Sequence, residues 1–324
     1  MTESKSKLAV VAIGGNSLIK NDKKVTVEDQ EAALRETAVH LVDMIEAGWD
    51  LAIGHGNGPQ VGFILRRSEI AARVEGMHEV PLDVCGADSQ GAIGYELQQA
   101  LQNEFHKRGV PKSAATVITQ VLVDRNDSAF QKPSKPIGSF MEHAEARRRE
   151  QEMGWSVVED AGRGWRRVVP SPLPKQILEL EAVKLLLGAG LVVITVGGGG
   201  IPVVDAGKGE LQGTAAVIDK DYASSLLARE IGADLFLIAT AVEKIAIHFG
   251  QPEQKWLDRI TLAEAKAYLA EGIHFAKGSM APKIRAVIWY LENGGKQALV
   301  TNPENIGRAL KGETGTWIVQ ERGL

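Results

Sequence analysis

Three aliphatic runs in this chain each end in a glycine-rich turn: LAVVAIGGNS (8–17), DLAIGHGNGPQVG (50–62) and LVVITVGGGGIP (191–202), the last with four glycines in a row. A short aliphatic run without polar alternation reads as a strand buried on both faces, the habit of parallel sheets. In open parallel sheets, ligands sit outside the carboxyl ends of the strands. Glycine has no Cβ, so peptide N–H groups there come within hydrogen-bonding distance of a small anion. A helix starting at the turn adds the positive end of its dipole. Any single glycine pair among the 35 glycines is most simply a tight turn. Three turns in one context point instead to a phosphate or carboxylate bridging several strand ends. The usual phosphate motifs are missing: GxxxxGK[ST] does not occur, and Pro59 stands where Gly54 and Gly56 would need a third glycine for GxGxxG. A nucleotide would therefore be held by glycine turns and separately placed lysines.

The chain of 324 residues is long enough for one large α/β unit with two lobes, or for two fused domains. Cys85 is its single cysteine, which excludes an internal disulfide framework and a cysteine metal cluster and suits a reducing, cytoplasmic setting. Before Gly86, that thiol reads as a small buried hydrophobe rather than a nucleophile. Basic and acidic residues nearly balance, 37 against 41, so nucleic acid is not an expected partner. The apolar run at 8–13 is too short for a signal-peptide core, and no stretch has the length of a membrane span.

Helix and strand periods alternate along the chain. A strand at 8–13 precedes a helix at 27–46, opened by Thr26 and Asp29 and striped by Leu34, Ala38, Leu41, Val42 and Ile45. A strand at 51–54, helices at 60–73 and 89–107 and a strand at 115–123 follow. Between 125 and 172 the alternation breaks into prolines, tryptophans and the triplet Arg147, Arg148 and Arg149, as expected of an inserted flap; the triplet reads as a solvated helix face. Alternation resumes with a helix at 176–187, strand 191–196, helix 222–231 and strand 234–239. A TxxE capping box at Thr261 and Glu264 opens a helix ending at Gly272, and helix 281–292, strand 297–301 and a strand around Trp317 close the chain. The fold class expected is α/β: a three-layer α/β/α sandwich on a largely parallel sheet, with a protruding subdomain.

Phosphoryl transfer is catalysed mainly by positioning and by neutralising charge. Candidate cations are the lysines near the turns. Lys220 and Asp221 sit where an apolar stretch meets a helix start, although Asp219, Lys220 and Asp221 also read as solvated surface. Lys283 falls in the first turn of a helix, where a cation opposes the dipole unless an anion compensates it. Lys135 lies between prolines of the flap, and His55, flanked by glycines, is either an anion contact or a turn histidine satisfied by backbone. The seven histidines show no metal-ligand spacing, and no serine occupies a GxSxG elbow.

Taken together, IGGNSL (13–18), GHGNGPQVG (54–62), CGADSQGAIGYELQQAL (85–101), KPSKPIG (132–138), VGGGGIPV (196–203), VIDKDYAS (217–224) and GSMAPK (278–283) resemble, in order, the blocks of the carbamate kinase branch of the amino acid kinase family. The likeness covers nearly the whole chain. It implies reversible phosphoryl transfer between ATP and carbamate, a carboxyl-type acceptor, giving ADP and carbamoyl phosphate. It also implies Mg²⁺ on the nucleotide, use in the direction that forms ATP, and a homodimer. By resemblance, Lys135, Lys220 and Lys283 neutralise the transferred group and Asp221 holds them. Gly14, Gly15, Asn16, Gly54, Gly56, Asn57, Gly198, Gly199 and Gly200 cradle carbamate and phosphate. Ala241, Val242, Lys244, Gly278, Ser279 and Met280 flank the nucleotide. Residues 1–215, including a protruding subdomain at about 125–172, would form an acceptor-side lobe and 216–324 a nucleotide-side lobe. Two positions depart from the family pattern: Asp88 replaces an apolar Met, and Lys277 stands where Pro is frequent. The alternatives are a family member acting on another small carboxylate or phosphate, and a noncatalytic nucleotide or oxyanion binder.

Overall fold

The computed structural model describes residues 6–14, 26–160, 162, 164–276 and 278–321. Among them, eight strands form the main sheet in the order Arg259–Thr261, Thr316–Val319, Gln297–Thr301, Leu235–Ala239, Lys7–Ile13, Trp49–His55, Val192–Ile194 and Ala114–Thr116. All neighbours run parallel except Gln297–Thr301 and Thr316–Val319. The strand Lys7–Ile13 shows why three layers form. Alternate side chains of a strand point to opposite faces, and here Val10 and Ala12 join one core while Ala9, Val11 and Ile13 join the other. The first core is closed by the helices Leu180–Gly188, Lys220–Glu230, Leu262–Glu271 and Met280–Glu292. Leu34, Leu41, Ile93 and Leu97, from the helices Val27–Glu46 and Leu82–Arg108, close the second. The expected largely parallel α/β sandwich is what the chain forms.

The expected capping box of Thr261 with Glu264 is present, and Thr26 forms a second one with Asp29. Two expected elements are corrected. The strand at 115–123 is two strands in two sheets, Ala114–Thr116 in the main one and Gln120–Val123 in a four-stranded sheet with Glu210–Gly213, Ile201–Gly207 and Pro174–Ile177. The break comes at Thr119, whose N–H donates to the Gln90 side chain at 2.8 Å and whose carbonyl accepts from it at 3.1 Å. The helix at 176–187 starts only at Leu180, because Gln176 and Ile177 pair antiparallel with Leu122 and Val121. The flap is an ordered unit: a three-stranded antiparallel sheet of Lys135–Met141, Trp165–Val169 and Ser156–Glu159 with the helix His143–Met153. Its arginine triplet is largely satisfied locally, Arg147 by Glu150 and Arg148 and Arg149 by Glu145. No helix among the described residues is long and apolar enough to cross a membrane.

Candidate active site

Three helices begin at one cleft of about 290 Å³. Asn57, Gly58 and Pro59 enter it at the start of the helix Gly58–Glu75, Asp219, Lys220 and Asp221 at the start of Lys220–Glu230, and Ser279, Pro282 and Lys283 at the start of Met280–Glu292. Each helix start offers N–H donors without intrahelical partners and the positive end of a dipole. The first and third have no side-chain cap, although Pro59 and Pro282 bring no N–H and the Ala281 N–H donates to the Ala276 carbonyl at 3.1 Å. The second is capped by Asp219, whose Oδ1 accepts from the Asp221 N–H at 2.9 Å.

The charged side chains form a connected set. Lys220 Nζ donates to Asp221 Oδ1 at 2.5 Å, Lys283 Nζ to Asp221 Oδ2 at 2.9 Å, and Lys135 Nζ, from the flap, to Asp219 Oδ2 at 2.5 Å. Three ammonium groups thus face two carboxylates. Burial alone would raise the Asp221 carboxyl, but Lys220 and Lys283 override it and hold it well below the usual carboxylate range. Asp219 is likewise held low against its burial, chiefly by Lys135. Burial pulls the Lys220 ammonium down to about 8, against the attraction of Asp221 and with the help of Lys283. Lys283 moves the other way, because Asp221 outweighs its burial. Asp219 adds further negative charge beside this pair and favours the charged form of both lysines.

The four-glycine turn forms the floor. Gly198 adopts φ 63, and a Cβ there would overlap the Asn57 amide. Asn57 is itself fixed by donating to Ser89 Oγ at 2.8 Å. Val196, immediately before the turn, is fully buried at φ 45, a left-handed conformation costly for a β-branched residue. His55 lies beneath, 1% exposed, its Nδ1 at 2.9 Å from the Gly56 carbonyl. Burial pushes its imidazole down to about 4, against the Gly56 contact and with help from Lys220, so it is neutral and satisfied by backbone.

Of the residues expected from sequence, Lys135, Lys220, Asp221, Lys283, Gly56, Asn57, Gly198, Gly278 and Ser279 share the cleft wall. Gly14, Gly54, Gly199 and Gly200 stand behind it: Gly14 N–H donates to the Ala239 carbonyl at 3.0 Å, and a Cβ at Gly54 or Gly199 would run into Ser224 or Ile218. Gly15 and Asn16 lie outside the described residues, as does Lys277. A second cavity of about 150 Å³ adjoins at Ser279, lined by Val242, Lys244, Ala246, Phe249, His274, Ala276 and Met280. Ala241 is exposed beside Val242, and Lys244 is held by Asp258 at 2.5 Å. Sequence reasoning missed three supports: Asp219 as cap and counter-ion, Gln90, which also donates to the Gly197 carbonyl at 3.0 Å, and the rim aromatic Phe249. Asp219 alone left a signal, an N-cap residue one position before the helix. Asp88 is exposed, and Cys85 is buried with its thiol pushed up to about 11 by burial, Asp88 and Asp83. Among the described residues, no three His, Cys, Asp or Glu side chains group as a metal-holding set.

The sequence profile of the amino acid kinase family matches residues 7–302. Carbamate kinase-like protein YahI of Escherichia coli (strain K12) is 51% identical over 97% of this chain and 99% of its own length. The carbamate kinase of Thermococcus kodakarensis is 48% identical over 97% of this chain and 100% of its own. Among solved structures, carbamate kinase from Giardia lamblia bound to AMP-PNP superposes with a TM-score of 0.89, at 40% identity over 98% of this chain and 99% of that one.

Proposed function

The chain belongs to the amino acid kinase family, and from that premise we propose that it is a carbamate kinase, transferring a phosphoryl group reversibly between ATP and carbamate to give ADP and carbamoyl phosphate. One observation carries the reading. The cleft wall gathers three lysines on two carboxylates, and its carboxylates are already engaged by those lysines. Such a site has no general base to spare. Carbamate needs none, because its anionic oxygen attacks phosphorus without surrendering a proton. The chemistry then reduces to positioning and charge neutralisation.

In this reading Lys220 and Lys283 neutralise the transferred PO₃ unit, Asp221 fixes both, and Lys135 closes on it from the flap. Gly56, Asn57 and Gly198 cradle the acceptor, supported by Gly14, Gly54, Gly199 and Gly200. The nucleotide base takes the cavity of Val242, Lys244 and Met280, and its phosphates cross Gly278 and Ser279 into the cleft. Those two cavities meet at Ser279, which suits one nucleotide spanning both. Because Asp219 and Asp221 are both tied to lysines, Mg²⁺ would arrive on the nucleotide phosphates rather than on a protein ligand set. We further propose an acceptor-side lobe at 1–215 and a nucleotide-side lobe at 216–324. To these we add a homodimer, which the exposed Ile70, Val74 and Met77 favour, a cytoplasmic location, and use toward ATP formation from carbamoyl phosphate.

A coupled assay with ADP and carbamoyl phosphate tests the activity, and ATP formation is the expected result. Equal turnover with acetylglutamate or a nucleoside monophosphate as phosphoryl acceptor would reject carbamate as the substrate. Nucleotide binding without any turnover would make the chain a sensor.

A further inference from the structure

Lys135 does not belong to the main sheet; it arrives on the flap strand Lys135–Met141, so something outside the cleft must decide where its ammonium stands. That strand crosses the helix Gly58–Glu75 at a contact of bare backbones: a Cβ on Gly62 would overlap the N and Cα of Gly138, which adopts φ 69. Two further contacts lie on the same helix. Val61 and Leu65 pack in one apolar cluster with Ile137 and Val169 of the flap. Further along, Glu69, 8% exposed, accepts from Arg167 at 2.6 Å and from Arg66 at 3.2 Å. Arg167 lies over the Trp155 ring at 4.5 Å and sits opposite Ile137 in the flap ladder, one pair removed from the pair that includes Pro136 and two from that of Lys135. The first turn of this helix is the wall of the acceptor cleft at Gly58 and Pro59.

We propose that the helix Gly58–Glu75 is the seat that sets Lys135 against Asp219, with Gly62 and Glu69 as positioning residues for that ammonium. The helix then works as a rigid bar, its N-terminus at the acceptor and its next three turns gripping the flap. A side chain at Gly62 lifts the strand three residues from Lys135 and draws the ammonium out of the cleft, with no change in the nucleotide cavity. Loss of charge at Glu69 frees Arg167 and slackens the same grip.

The kinetic part of this inference rests on the kinase reading; the structural part does not. Gly62→Ala and Glu69→Gln are each made alone and combined with Lys135→Ala in the full-length protein. Turnover, KM for ADP and amide exchange of residues 135–141 are measured. Gly62→Ala alone is expected to lower kcat at least tenfold with KM for ADP changed less than twofold. In the Lys135→Ala background it should change kcat less than twofold, because the group it positions is gone. Exchange in the strand Lys135–Met141 should quicken while the strand Lys7–Ile13 keeps its protection. A kcat loss that multiplies in full on Lys135→Ala, or unchanged exchange in the flap strand, overturns the proposal. If Gly62→Ala does not fold, Glu69→Gln carries the same readouts, with a smaller kcat loss expected. A wild-type chain without turnover removes the kinase reading and leaves the exchange measurement to decide the seat.

Discussion

Asp221 carries two ammonium groups at once, one on each carboxylate oxygen, and is nearly fully buried while doing so. Removing either lysine leaves a one-to-one ion pair, whereas removing the carboxylate leaves two buried cations without the group that holds them, a costly state. Lys220→Ala should therefore lower kcat by roughly two to three orders of magnitude while the melting temperature stays near wild type, as loss of a preorganised charge does. Unchanged turnover would show that the Lys220 ammonium takes no part in the transfer. The pH profile follows from the direction of the shift. Lys220 is charged below about 8 and neutral above it, so kcat should fall as pH rises through that value. Asp221→Asn deletes the carboxylate that raises the Lys220 ammonium, so this alkaline limb should move to lower pH by about one unit or more. A limb that stays in place or moves upward would show that another group titrates. The sequence put Lys220 and Lys283 near helix starts. Periodicity alone could not show that 62 positions of chain fold back so that both meet one carboxylate; that pairing was implied only by the family resemblance.

At the scale of elements, local signals were readable and distant pairings were not. The helix at 27–46 matches its expected bounds because a capping box and an apolar stripe are both written in contiguous residues. Likewise, the strand Gln297–Thr301 is one aliphatic run. By contrast, Pro174–Ile177 becomes a strand only because Gln120–Val123 lies beside it, and Ile201–Gly207 pairs with Glu210–Gly213 across a tight reversal that no periodicity announced. The cap hydroxyl of Thr261, at the end of the sheet's edge strand, accepts from the Glu264 N–H at 3.1 Å. Thr261→Ala should cost about 1 kcal/mol in urea unfolding and leave kcat unchanged. A loss of turnover without loss of stability would give that helix a role beyond packing. Gly198→Ala should act in reverse, abolishing most activity, because its φ of 63 and the Asn57 amide leave no room for a methyl group.

Across the whole molecule, one sheet ties the two ends of the chain: Lys7–Ile13 lies between Leu235–Ala239 and Trp49–His55, so a ligand held at both halves of the cleft stabilises the shared sheet. ADP at one hundred times its Kd should add about 2.7 kcal/mol to the unfolding free energy. Calorimetry reads this as a rise in melting temperature that grows with nucleotide concentration. A melting temperature indifferent to ADP would remove the nucleotide from the cavity beside Met280.

Val196 holds a left-handed backbone with its branched side chain sealed in the core, at the point where a strand gives way to four glycines. A conformation of that kind costs about 1–3 kcal/mol and persists only where the surroundings over-determine it. Val196→Gly would relieve the tension and, by the same stroke, empty a filled space beside the four-glycine turn. The bend resembles a sprung clasp: thermal robustness is surrendered so that the peptide donors cannot drift. Relaxing this position exchanges strain for a void and a looser turn, so a slower enzyme with no gain in melting temperature is the expected result.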